Sequence, residues 1–424
     1  MKVLIIPSYY PSSADPCFGS YVLEQARLLS EYADVRVLFG RGRLVGYRTA
    51  WRDQRYVPRP RSARLIGNSS FYAIAPPPAS SFEYAHRSVN DADSCAASLH
   101  AYQQAFGHLL ATGWVPDLLH AHGSEVAGIV CHHLSKKFGI PWMLTEHSSF
   151  SLAKFSIERQ ALIFAALVRA TRVAAVSRHQ MQGMILHGIH RPIDVVGNLV
   201  DENLFSPGND VSSDDLFRIL AIIYPVNLKD AGTFFCSLAI LRQHARFRFK
   251  ATVIGNAAFG NLKKATTTEF ADLAKKHSVA DLCSIRPFAS REDMARETSG
   301  CDVVVSTSIA ESFGLSIREC LCAGKPAVCT RSGGVDEDIT AENGFLVPIK
   351  SPDAVAEGLL AVQANRNRYN PASIRESIIV KYGRKAFSQR MLALYESVAQ
   401  TPVVLESGCP KLPRWTDPMQ VMDF

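Results

Sequence analysis

None of the ten cysteines (Cys17, Cys95, Cys131, Cys236, Cys283, Cys301, Cys320, Cys322, Cys329 and Cys409) forms a Cys-x-x-Cys pair. Most lie in apolar runs such as Val130-Cys131 and Ala327-Val328-Cys329-Thr330, where a free thiol packs as a small hydrophobe. A reduced, cytosolic chain is therefore expected. No apolar stretch reaches about 18 residues, the length a spanning helix needs. The closest, 162–176, is interrupted by Arg169 and Arg172. The opening Met1-Lys2-Val3-Leu4-Ile5-Ile6-Pro7 is too short and too soon broken by proline to read as a signal peptide. Gly-x-Gly-x-x-Gly is missing from the first loop, which disfavours an NAD-dependent oxidoreductase.

Net charge is equally scarce outside one segment. The 424 residues carry 46 Lys and Arg against 39 Asp and Glu, a balance of +7. Residues 41–64 hold eight arginines (Arg41, Arg43, Arg48, Arg52, Arg55, Arg59, Arg61, Arg64) and one acid, Asp53, so the rest is neutral overall. A hydrophobic fraction of 47% with 20% charged residues excludes a disordered or fibrous chain. At about 150 residues per domain, two or three domains are expected.

What is present is an alternation of short β-branched runs with helix-period segments, the pattern of an α/β fold with doubly wound parallel sheets. Strands are expected at 3–7, 35–39, 118–121, 142–145, 173–176 and 193–196, then at 218–223, 250–254, 283–287, 302–307, 327–330 and 344–347. Helices are expected at 19–31, 125–138, 233–243, 266–277, 290–298, 313–323 and 352–364. The turn-forming cluster Ser206-Pro207-Gly208-Asn209-Asp210 marks the break. It divides the chain into 1–206, 207–385 and a C-terminal helix and tail, 386–424, expected to return to the first domain. Ligands should bind where the carboxyl ends of the two sheets face each other.

Residues 302–334 carry the chemistry. A buried strand runs to Thr307, a helix is expected from Phe313 with Ser312 as N-cap, and Gly324 followed by Pro326 stops it. The free amides of Phe313, Gly314 and Leu315 and the positive end of the helix dipole suit a diphosphate. Gly314 lets the phosphate approach the backbone. Glu319 is placed to accept from two ribose hydroxyls, and Glu311 to face the group on the distal phosphate.

This stretch, with Asn343-Gly344-Phe345-Leu346-Val347-Pro348, Val196-Gly197-Asn198-Leu199-Val200-Asp201, Asp117-Leu-Leu-His120-Ala-His122 and Leu144-Thr145-Glu146-His147, resembles the retaining nucleotide-sugar glycosyltransferases of family four. The resemblance covers about residues 1–395. It implies the GT-B fold, two facing Rossmann-like domains, and sugar transfer with retention at the anomeric carbon. It also implies that Glu319 holds the donor ribose, Glu311 the donor sugar, and Lys229 the diphosphate, with His122 near the transferred sugar and Gly19 in the first strand-to-helix loop. His120 is expected on the opposite face of its strand. For His147 and the other histidines an ordinary packed role is expected. The family's front-side displacement lets the leaving phosphate take the acceptor proton, so neither a protein base, a cofactor nor a metal is expected. Asp91-Ala92-Asp93 reads as helix capping rather than as a metal motif.

The family also has an arginine five or six residues before that lysine. Here the position falls on Ile223 or Tyr224; either the helix N-terminus and Lys229 suffice for the diphosphate, or Arg331 or Arg286 reaches in from a neighbouring loop. This departure keeps a non-catalytic nucleotide-sugar-binding partner open; an epimerase of the same fold is a further alternative, which the Glu311–Glu319 context matches less well. Expected partners are a nucleotide-sugar donor (UDP- or GDP-sugar) and a glycan or a polyprenyl- or lipid-linked acceptor, in cell-surface polysaccharide, lipopolysaccharide or glycolipid assembly. The stretch Arg41–Arg64, interleaved with Tyr47, Trp51 and Tyr56, suits an anionic acceptor or the inner membrane surface. No nucleic-acid-binding module is visible.

Overall fold

Strand β1 (Lys2–Pro7) is apolar on both faces because both are covered. Val3 and Ile5 enter one core cluster, Leu4 and Ile6 another. The same alternation recurs in the second half, where Val303 and Val305 face one cluster and Val304 the other. The structure is a computed structural model and describes residues 1–11, 18–44, 79–86, 91–149, 152–153, 155–208, 215–224, 226–255, 260–286 and 289–402.

Among the described residues, the first sheet adds β2 (Asp34–Leu44), β3 (Ala79–His86), β4 (Leu118–His122), β5 (Trp142–Glu146), β6 (Arg172–Ala175) and β7 (Asp194–Val195), in the order β3-β2-β1-β4-β5-β6-β7. The second contains β8 (Leu216–Ile222), β9 (Arg248–Ile254), β10 (Cys283–Arg286), β11 (Val303–Ser306), β12 (Ala327–Thr330) and β13 (Gly344–Val347), in the order β10-β9-β8-β11-β12-β13. All pairings are parallel. The strand order reverses between β1 and β4 and between β8 and β11, and such a switch point opens a crevice at the carboxyl ends.

Several expectations need correction. Strand β3 was not expected; its sequence Ala-Ser-Ser-Phe-Glu-Tyr-Ala-His is mostly small and polar because it lies at the sheet edge. The helix expected at 125–138 is a π-turn, Ser124–Gly128, followed by the α-helix Ile129–Phe138. The Gly128 amide reaches back five residues to the Gly123 carbonyl. The helix expected at 266–277 spans Gly260–Lys276.

The chain crosses between the sheets twice, and the crossings are tied together. The Val200 amide donates to the Tyr382 carbonyl at 3.0 Å, and the Arg384 amide to Glu202 Oε2 at 2.8 Å. The helix Arg384–Ala399 then packs Phe387, Met391, Tyr395 and Val398 into the cluster containing Val3 and Ile5. Of the arginine stretch, Arg41 and Arg43 lie in β2, while residues 45–64 fall outside the described residues, as do 403–424. Among the described residues no helix is long and apolar enough to cross a membrane, and eight cysteines are free thiols. Cys17 and Cys409 are outside the described residues.

Candidate active site

Lys229 leaves the end of β8 on the short 3-10 turn Asn227–Lys229. Asp230 then adopts a left-handed φ of 45° and caps the helix Ala231–His244, accepting from the Thr233 hydroxyl at 2.7 Å. This turn is pinned to the loop after β11: the Thr307 hydroxyl donates to the Asp230 carbonyl at 2.9 Å, and the Ile309 amide to the Leu228 carbonyl at 2.7 Å. The pinning brings Lys229 and Glu311, 82 positions apart, into an ion pair at the switch point, and Glu311 Oε1 also accepts from the Ser308 hydroxyl at 2.8 Å. The Glu311 backbone is zipped to the next loop through Ser332 and Gly334.

The helix beyond Glu311 starts later than expected. It spans Leu315–Cys322, and its N-cap is Gly314, not Ser312. Gly314 has φ 70°, a left-handed conformation open to glycine at little strain, and an added Cβ would lie 3.0 Å from Val335. With Gly314 as N-cap, the Ile317 amide already donates to the Gly314 carbonyl, so the amides of Gly314, Leu315 and Ser316 at the helix mouth have no helical partner. Ser312 serves another purpose: its carbonyl accepts from the Ser177 hydroxyl of the first domain at 2.6 Å. The Phe313 ring is buried edge-on against Tyr382 at 5.1 Å. Glu319, 2% exposed, accepts from Arg291 Nη2 at 2.6 Å. Burial raises its carboxyl pKa, and Arg291 opposes that shift.

Gly19 (φ 71°) opens the helix Ser20–Leu29, and an added Cβ there would meet the Tyr9 carbonyl oxygen at 2.3 Å. His122 ends β4 at the first sheet's switch point. His120 does not point to the opposite face. Residues two apart on a strand share a face, and the two imidazole centroids are 4.1 Å apart. His147, expected to be ordinary, brings Nε2 to 2.9 Å from His122 Nδ1. His120 bonds the Tyr395 hydroxyl at 2.8 Å and Thr145 Oγ1 at 2.9 Å. His122 Nε2 is buried without a partner, so either tautomer leaves one lone pair or one proton unspent. Glu146, fully buried, accepts from the amides of Ser124, His147 and Ser148.

Burial pushes His120 down to about 3 and His147 to about 4, with His122 also well below its ordinary value. The folded cluster therefore stays neutral while the unfolded chain takes up protons below about pH 6.5. Stability is expected to be lost on acidification, by about 4 kcal/mol at pH 5 for His120 and His147 together. Urea unfolding at pH 7 and pH 5 measures this, and equal midpoints would contradict a neutral buried cluster.

Of the two substitutes for the missing arginine, Arg286 pairs with Glu297. Arg331 is exposed at the end of β12, adjoining Ser332, whose carbonyl holds the Glu311 amide. Sequence reasoning missed His147, Tyr395, Arg291 and Glu24. The first was visible in the Thr145-Glu146-His147 motif; the others act through contacts distant in sequence. Among the described residues no group of three His, Cys, Asp or Glu is arranged to hold a metal ion.

Residues 229–384 match the model of "Glycosyl transferases group 1", and residues 20–204 that of "Glycosyltransferase Family 4". The chain is 28% identical over 269 residues to a D-inositol 3-phosphate glycosyltransferase of Nocardiopsis dassonvillei, covering 57% of this chain and 61% of that one. It is 25% identical over 215 residues to the Mycobacteroides abscessus enzyme of that name, covering 45% and 46%. To a phosphatidylinositol N-acetylglucosaminyltransferase component from Arabidopsis thaliana it is 22% identical over 282 residues, covering 65% and 61%. These matches thus span about half to three fifths of each relative's length. Among solved structures, sucrose-phosphate synthase from Thermosynechococcus elongatus superposes with a TM-score of 0.71 at 16% identity, covering 93% of this chain and 98% of that one. Anabaena HepE in complex with UDP and glucose gives 0.68 at 18% identity, covering 94% and 100%. The two facing sheets are those of the GT-B fold, and the chain belongs to the family-four, group 1 glycosyltransferases.

Proposed function

We propose that the protein transfers a sugar from a nucleotide-sugar donor, a UDP- or GDP-sugar, to a glycan or lipid-linked acceptor, with retention at the anomeric carbon. The observation that carries this reading is the meeting of Lys229 and Glu311 at the β8/β11 switch point beside the Gly314-capped helix mouth. A diphosphate seated there faces the Leu315 and Ser316 amides and the Lys229 ammonium, all of which favour an anion. Glu319, one turn further along the helix, accepts from the ribose diol. Glu311 and the unspent Nε2 of His122 face the transferred sugar from opposite domains.

In the reaction the acceptor hydroxyl attacks the anomeric carbon on the face that the leaving group occupies. The bond from that carbon to the β-phosphate oxygen breaks, and the acceptor proton passes to a phosphate oxygen. Lys229 and the helix mouth stabilise the charge that develops on the diphosphate. No side chain has to remove the proton. Two relatives are named for acceptors that combine inositol with phosphate, and an acceptor bearing a phosphate suits the arginines of 41–64. We extend the proposal to assembly of a cell-surface polysaccharide or glycolipid at the inner membrane face, the setting in which a lipid-linked phosphate acceptor is met.

The place of the missing arginine, held by Ile223 and Tyr224, favours one second reading: a donor-binding partner without turnover. Mass-spectrometric detection of transfer or slow hydrolysis across UDP-, GDP-, ADP- and dTDP-sugars separates the two. Binding without either product supports the partner reading. Glu319→Ala is expected to raise the Kd for UDP or GDP about 10- to 100-fold, because it removes two hydrogen bonds to a charged acceptor. Unchanged affinity in isothermal titration would remove the ribose assignment.

A further inference from the structure

Arg291, the first residue of the helix Arg291–Gly300, stands between two carboxylates from opposite domains. Its Nε donates to Glu24 Oε1 at 2.6 Å and its Nη2 to Glu24 Oε2 at 2.9 Å, a two-pronged grip on the first domain's opening helix. The same Nη2 donates to Glu319 Oε1 at 2.6 Å. The guanidinium lies 4.9 Å from the Phe205 ring, on the segment that joins the domains. All three side chains are largely buried, at 18%, 14% and 2% exposure for Arg291, Glu24 and Glu319. One cation is thus shared between two desolvated acids, one of which is the carboxylate proposed for the ribose.

We propose that Arg291 is a positioning residue that fixes the Glu319 carboxylate for the ribose diol. Glu24 holds Arg291 in place from the opposite domain, so the nucleotide pocket is complete only when the two domains are together. This inference rests on the donor-site reading of Glu319. A buried carboxylate with no cation beside it protonates readily. A protonated Glu319 loses one of the two acceptor oxygens that a diol needs. The charged groups facing Glu319 are Arg291 and Glu24. Cys320 and Cys322 on its own helix are held as neutral thiols, the latter pushed up to about 12 by burial. Arg291 engages Glu319 through Oε1, which leaves Oε2 and the second lone pair of Oε1 to the incoming diol.

The test is isothermal titration of the full chain with UDP, GDP, ADP and dTDP between pH 7 and 9. Wild type, Arg291→Met, Arg291→Lys and Glu24→Gln are compared at each pH. Arg291→Met is expected to weaken nucleotide binding about 10- to 100-fold at pH 7, with the deficit narrowing toward pH 9 as Glu319 ionises. Arg291→Lys restores part of the affinity, because the charge returns without the two-pronged geometry. Glu24→Gln, which keeps the shape and removes the charge, is expected to weaken binding about 3- to 10-fold. Undiminished binding by Arg291→Met, or a deficit that is constant across the pH range, overturns the positioning role. Undiminished binding by Glu24→Gln overturns the dependence on the opposite domain. A wild-type protein that binds none of the four nucleotides overturns the donor-site reading itself, an outcome distinct from the other two.

Discussion

Lys229→Met is expected to lower the turnover of transfer or hydrolysis about 100- to 1,000-fold, the usual effect of deleting one preorganised group that stabilises charge in the transition state. At this position the effect should be near the upper end. The arginine that the family places on the diphosphate has no counterpart at Ile223 or Tyr224. Lys229 is thus the cation that the β8 end presents to the site. Before donor arrives, the ammonium is held by Glu311 and kept about three-quarters buried, at 26% side-chain exposure. An incoming diphosphate must share or displace that carboxylate. For this reason the double variant Lys229→Met/Glu311→Gln is expected to lose less than the product of the two single losses, as groups acting as a unit do. Initial rates with saturating donor measure both effects. Full turnover in Lys229→Met would end its role at the leaving group.

The second large effect is on stability. Arg318→Met is expected to destabilise the fold by about 3–5 kcal/mol, because removing one partner of a buried ion pair leaves the other charge uncompensated. Arg318 is fully buried in the helix that carries Glu319. Its Nε donates to Asp338 Oδ2 at 2.7 Å and its Nη2 to the Gly334 carbonyl at 2.9 Å. The guanidinium lies against two rings that meet edge-on, 3.9 Å from the Phe313 centroid and 4.9 Å from that of Tyr382. Burial alone would raise the Asp338 carboxyl, but Arg318, Lys381 and Tyr382 hold it below its usual value. Replacing both charges, Arg318→Met with Asp338→Leu, is expected to recover most of the loss, since a buried pair replaced by packed apolar groups is often neutral or better. Urea midpoints of the single and double variants measure this. A single-variant loss below about 1 kcal/mol would show that Asp338 is satisfied by Lys381 and Tyr382 alone.

Both cases mark how far the sequence can be read. Strand positions in the second half were legible to within two residues, and β12 and β13 coincide with 327–330 and 344–347. The helix Pro352–Ala364 was legible at both ends, since Pro352 opens it and a local apolar period runs through it. Where the signal was weak or ambiguous the reading failed. Edge strand β3 has little apolar period to display, and the helix at Leu315 was placed two residues early because Ser312 looks like a cap. The left-handed Gly314 that actually starts the helix is set by its packing on Val335 and the neighbouring loop.

From its residues alone this chain declared two parallel α/β halves, their family resemblance, and the acids and lysine proposed for the donor site. Those features are carried by local period, by turn chemistry and by motifs a few residues long. Tertiary structure alone decided which charges meet. It joined Lys229 to Glu311 across 82 positions and Arg291 to Glu24 across 267. It also set His147 against His122 and buried Arg318 against two rings. Such pairings depend on the order in which strands assemble and on the shielding of charge from water, and neither is written in the spacing of residues along the chain.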